Sequence, residues 1–100
     1  LRVGKKMLEN FPKIVELGIP LAFGSDTGIS VHGENWKELV LLVKYGKKAG
    51  LNEARALQMA TWEAARVLKL EGQIGSLEIG KQADIIAVDE NVLGNISLIK

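Results

Sequence analysis

A short apolar run ending in a carboxylate constrains this chain more than any other feature. Ile19-Pro-Leu-Ala-Phe-Gly24 carries Leu21, Ala22 and Phe23 in succession, stops at Gly24, and is followed by Ser25 and Asp26. The run is too short for a typical helix and lacks polar alternation, which suits a strand buried on both faces. An acid at the C-terminal tip of such a strand lies where parallel α/β sheets and barrels place their chemistry. The bland alternative makes Asp26 a turn-former or helix cap, a common use of aspartate after a strand.

The flanking patterns alternate helix with strand, the rhythm of an α/β fold. Arg2 to Leu17 reads as helical, with Val3, Met7, Ile14 and Val15 near one face and lysines and glutamates on the other. Pro12 predicts a kink or a fresh start, and Gly18 a stop. Ser25 to Gly33 is a polar loop, the kind of segment that carries function at a strand end. From Glu34 to Tyr45 the spacing of Trp36, Leu39, Val40 and Val43 is helical again, with Gly46 as its end. Asn52 predicts an N-cap for a helix over residues 53–60, and Thr61 a cap for a second over 62–68; one bent helix fits the pattern equally. Beyond Gly72 the character changes. Ile74–Leu77 and Ala83–Val88 are β-prone, and the turn Glu78-Ile79-Gly80-Lys81 would join them as a hairpin. A last strand or turn is expected near Ile96–Ile99.

Composition excludes several functions. With 13 Lys and Arg against 12 Asp and Glu, net charge is +1, which gives no electrostatic case for nucleic acid. The absence of cysteine removes disulfides and thiolate metal sites. No apolar stretch approaches the roughly 20 residues of a membrane span. The chain begins at Leu1 inside a helical pattern, so the expectation is a fragment whose parent's targeting signal is not visible, with cytoplasm as the default compartment.

Each chemical signal has a competing structural reading. Asp26 as a functional group would be a hard oxygen ligand to a divalent metal, or a base taking a proton from metal-bound water. His32 is the single histidine, and a lone histidine in a polar loop is more often a surface residue than a ligand. Zinc sites take about three or four protein ligands, and Asp26 with His32 gives two at best. Asp26-Thr27-Gly28 also spells the aspartic protease signature, in which paired loops of a dimer share a proton. Those proteases are almost wholly β, whereas residues 34–68 read as helical. Gly75 to Lys81 matches most of a phosphate-binding loop, but Gln82 stands where Ser or Thr is required and a strand follows where a helix should open. Asn95-Ile-Ser97 is a glycosylation sequon by spelling only. Trp36 and Trp62 fall on apolar helix faces and read as packing residues.

Taken in order, three blocks resemble the C-terminal end of the metal-dependent amidohydrolase superfamily, nearest to its prolidase and imidazolonepropionase-like branch. Gly18-Ile-Pro-Leu-Ala-Phe-Gly-Ser-Asp26 is similar to the last barrel strand with its catalytic aspartate. Thr27-Gly-Ile-Ser-Val-His-Gly-Glu-Asn35 is similar to the loop after it. Ala56-Leu-Gln-Met-Ala-Thr61, Ala64-Ala-Arg-Val-Leu68 and Ile74 through Asp89 resemble the closing segment. The resemblance implies α/β architecture: the end of a (β/α)8 barrel over 1–70 and, over 71–100, a return to a small composite β-sandwich through a β-hairpin, helix-rich as an isolated piece. It implies hydrolysis of amide or peptide-like C–N bonds in a small-molecule or dipeptide-like substrate. Asp26 would bind metal and shuttle the water's proton, and His32 would lie near the substrate. The cofactor would be zinc or another divalent metal in the parent; the chain alone, lacking the family's other metal-binding strands, is expected to hold none stably and to be inactive. Stripped of barrel neighbours, the faces around Leu21, Phe23, Trp36, Leu39 and Val43 predict self-association. The alternative function is a small α/β interaction module in which Asp26 only shapes a turn.

Overall fold

The computed structural model describes residues 2–26, 28 and 31–100. Thr27, Ile29 and Ser30 of the polar loop, and the side chain of Val3 on the predicted face of the first helix, lie outside the described residues. Among the described residues the regular elements are helical: α1 (Arg2–Glu16), α2 (Trp36–Gly46), α3 (Glu53–Ala60) and α4 (Trp62–Val67), with 3-10 turns at Lys47–Ala49 and Ile96–Ile99.

α1 runs unbroken through Pro12 rather than restarting there. Proline withholds one ladder donor, from the carbonyl of Leu8. Leu8 is exposed, so water can serve that carbonyl. The predicted apolar face engages only from Phe11 onward: Phe11, Ile14 and Val15 are half-buried, while Met7 is 67% exposed. α2 begins at Trp36, two residues later than its periodicity predicts, because residues 34 and 35 form a turn. Their carbonyls accept from Lys37 N–H (3.0 Å) and Glu38 N–H (3.1 Å). It ends at Gly46 as predicted, and a 3-10 turn then carries the chain to Gly50, which takes φ 91°. Gly46 keeps helical angles and also serves a close approach. A Cβ there would lie 2.8 Å from Leu51 Cβ and 3.1 Å from Phe11 Cε1.

Asn52 caps α3 as its position predicts, its Oδ1 accepting from Arg55 N–H at 2.9 Å. Thr61 does not cap α4. Its hydroxyl donates backwards to the Leu57 carbonyl at 2.8 Å, closing α3, so α4 starts without a side-chain cap. Two separate short helices result, tied by Glu63, which accepts from Arg55 (3.2 Å) and Arg66 (3.3 Å). The core forms where α2, α3 and the C-terminal turn meet: Leu39, Val43, Leu51, Ala56, Met59 and Ile96 are buried, with Phe11, Val15, Leu21 and Phe23 packed on them. Each large apolar side chain so removed from water contributes about 1.5–3 kcal/mol.

The expected strands do not form among the described residues. Residues 19–26 and 82–89 form no ladder, and neither 74–77 nor 83–88 becomes a strand of the predicted hairpin. The turn over 78–81 does form, with Lys81 N–H donating to Glu78 (3.2 Å), and Gln82 N–H closes on the Gln73 carbonyl at 2.8 Å. The physical reason is that strand structure needs a neighbour: a lone two-stranded ribbon is marginal in water. Ile96–Ile99 is a 3-10 turn rather than a strand, opened by Asn95, whose Oδ1 accepts from Ser97 N–H (3.1 Å) and Oγ (2.7 Å). That Asn–Ser pair is the sequon spelling, used here to start a turn. No helix among the described residues is long and apolar enough to cross a membrane.

Candidate functional site

The extended segment before Asp26 has two different faces. Leu21, Phe23 and Ser25 are half-buried, while Pro20, Ala22, Gly24 and Asp26 are exposed. Such alternation is what an extended backbone imposes. It differs from the expectation of burial on both sides, because helices cover one side only. Leu21 and Phe23 pack on the helical core, and Phe23 N–H donates to the Met59 carbonyl at the end of α3 at 2.9 Å. The opposite side carries only small residues before the acid.

Asp26 itself sits at φ 48°, a left-handed conformation that aspartate tolerates better than most residues. The chain therefore turns sharply where the extended run ends. Among the described residues its carboxylate makes no hydrogen bond or ion pair. Two cavities lined by described residues lie elsewhere on the surface. An open groove of about 430 Å³ runs between α1 and α2, lined by Met7, Phe11, Phe23, Leu41 and Tyr45. A pocket of about 70 Å³ lies against Val15, Leu21 and Arg55.

His32 is exposed in a tight turn closed by Glu34 N–H on the Val31 carbonyl (3.2 Å). Beyond it, Glu34 pairs with Lys37 at 2.8 Å on the surface. No group of three or more His, Asp or Glu side chains placed to hold a metal occurs among the described residues. Asp26 has the chemistry of one hard-oxygen donor, and no such group among the described residues includes it.

One polar cluster escaped the sequence reading. Lys81, its side chain only 8% exposed, places its ammonium 4.9 Å from the Trp62 ring centroid, donates to Ser76 Oγ and pairs with Glu78 at 3.1 Å. Trp62 is thus partly exposed and capped by a cation, rather than a plain packing residue. Nothing in the spacing of residues 62, 76 and 81 signals this, since the contact is made by a loop folding back.

Comparison with known proteins bears on the same residues. The sequence profile of the amidohydrolase family matches residues 2–100. A 5-methylthioadenosine/S-adenosylhomocysteine deaminase of Teredinibacter turnerae is 37% identical over 86 residues, covering 80% of this chain and 20% of the relative. An imidazolonepropionase of Symbiobacterium thermophilum is 34% identical, covering 74% of this chain and 17% of its own length. The structure resembles a crystal structure of a Xaa-Pro dipeptidase with methionine bound in its active site, with TM-score 0.84 and 42% identity over 97% of this chain and 23% of that one. The chain thus spans about a fifth of the length of the curated relatives it matches.

Proposed function

This chain belongs to the amidohydrolase family, and from that premise we propose that it supplies the catalytic base to a metal-dependent hydrolase acting on C–N bonds. In this reading residues 1–70 form the end of a (β/α)8 barrel and 71–100 return to a flanking β-sandwich. The observation that carries it is the two-faced segment before Asp26. One side packs on helices through Leu21 and Phe23, and the other offers Ala22, Gly24 and a carboxylate. Barrel strands alternate in this way between the helical layer and the interior, and the chemistry lies at their C-terminal ends.

Asp26 takes a proton from the attacking water and returns it to the departing nitrogen, so that water is added across the bond that breaks. A divalent cation, zinc among the candidates, supplies Lewis-acid activation of that water when bound, with Asp26 as one oxygen donor. The remaining donors come from outside these residues, and the chain alone is expected neither to retain metal nor to turn over substrate. In the same reading His32, in the loop that follows, contacts the substrate. A deaminase and a dipeptidase share the cleavage of a carbon–nitrogen bond, so the substrate class is a small molecule with a scissile C–N bond, a dipeptide or cyclic amide included.

The test is Asp26→Asn in a chain long enough to close the barrel. Asparagine keeps the size and cannot take the proton, so kcat should fall by about 10²–10⁴-fold with the circular dichroism spectrum unchanged. Turnover equal to the parent's would reject the assignment.

A further inference from the structure

We infer that Lys81 is a latch that fixes the loop 73–82 to the α3–α4 corner and so sets where the apolar segment 83–88 leaves the helical body. The loop is closed at its base by Gln82 N–H on the Gln73 carbonyl (2.8 Å), and the Leu70 carbonyl accepts from Gln73 (2.8 Å) and Ile74 (3.0 Å) as the chain enters it. Gly75 provides the contact with the helices. A Cβ there would sit 2.7 Å from Ala65 Cβ and 2.9 Å from the Thr61 carbonyl oxygen, and its φ of 90° is itself unfavourable to other residues. The loop backbone therefore lies directly on the junction of α3 and α4.

Lys81 supplies the polar half of the same attachment. Its ammonium faces the Trp62 ring, the Ser76 hydroxyl and the Glu78 carboxylate, and Ser76 in turn donates to Glu78 at 2.6 Å. The carboxyl of Glu78 is held below its usual range, first by the Ser76 hydroxyl and then by Lys81. A cation over an indole face, removed from water, binds better than one on an exposed surface. Trp62 belongs to α4, whereas the three polar groups belong to the loop. The Lys81–Trp62 contact thus joins two elements that no backbone hydrogen bond in this cluster connects. The segment spelled like a phosphate-binding loop has its lysine committed to an internal contact. This inference stands on the cluster alone and is independent of the hydrolase reading.

The experiment places Trp36→Phe in every variant, leaving Trp62 as the single indole, since the chain has two tryptophans. Lys81→Met keeps the apolar stem and removes the ammonium; Gly75→Ala attacks the other half of the attachment. Thermolysin cleavage beside Leu77 and Ile79 should accelerate by about tenfold in Lys81→Met, the loss of one desolvated cation–π contact being of that order, and should accelerate in Gly75→Ala as well. Trp62 emission should shift in Lys81→Met, with far-UV ellipticity and cleavage within α2 and α3 unchanged. An unchanged loop cleavage rate overturns the proposal. So does equal acceleration throughout the chain, because the latch would then be part of the global core.

Discussion

The helical core and the extended segments are made from equally apolar sequence yet reach different ends. Leu39, Val43, Leu51 and Met59 are buried, whereas Leu77, Ile79, Ile85 and Ile86 are exposed. Hydrophobicity does not separate the two sets. The difference lies in who completes the backbone: a helix satisfies its donors and acceptors within itself, and a strand needs another strand. Helices bring their apolar stripes to one another at once. Extended runs must wait for a partner, and residues 82–89 have found none among the described residues.

The largest effects are therefore expected where α2 and α3 meet. Leu39→Ala removes a buried side chain at the centre of the cluster and should lower unfolding free energy by about 2–5 kcal/mol in urea titration. A loss no larger than that of a surface substitution would mean that the core is not the seat of stability. Gly46→Ala tests the same region by overfilling it. The added methyl meets Leu51 and Phe11, and a cost of about 1–3 kcal/mol is expected despite alanine's better helix propensity.

Asn52→Ala comes next and also marks how far the sequence could be read. Its side chain caps α3 where residue type and position predicted, and its loss should cost about 1 kcal/mol by the same titration. Helices α1 to α4 were legible because periodicity and caps are local. Thr61 misled because its hydroxyl has two ends of helix within reach, and residue type cannot say which it serves. Gly46 ends α2 as its residue type predicted, but its close approach was not legible, because only the position of Leu51 shows it. The location of Asp26 at the end of an extended run was legible from the apolar stretch before it. That the run would show one covered face and one open face was not, since covering depends on chain far away. Lys81 over Trp62 was invisible for the same reason.

The smallest effect on stability should come from the extended region, and it sharpens the comparison most. Ile79 and Ile85 are exposed. Replacing both with lysine should change the unfolding free energy by no more than about 0.5 kcal/mol each, the usual range for surface sites. Association is where the change should appear. An unpaired apolar edge is a template for another chain, and charged residues on such an edge oppose pairing. We expect the parent chain to self-associate with rising concentration in analytical ultracentrifugation, and Ile79→Lys with Ile85→Lys to sediment closer to the monomer. Equal sedimentation of the two would mean that association, if it occurs, runs through the groove lined by Met7, Phe11 and Leu41 instead. Met7→Lys with Leu41→Lys would then be the pair that changes sedimentation, and the exposed helical face, rather than the unpaired backbone, would be the incomplete surface of this chain.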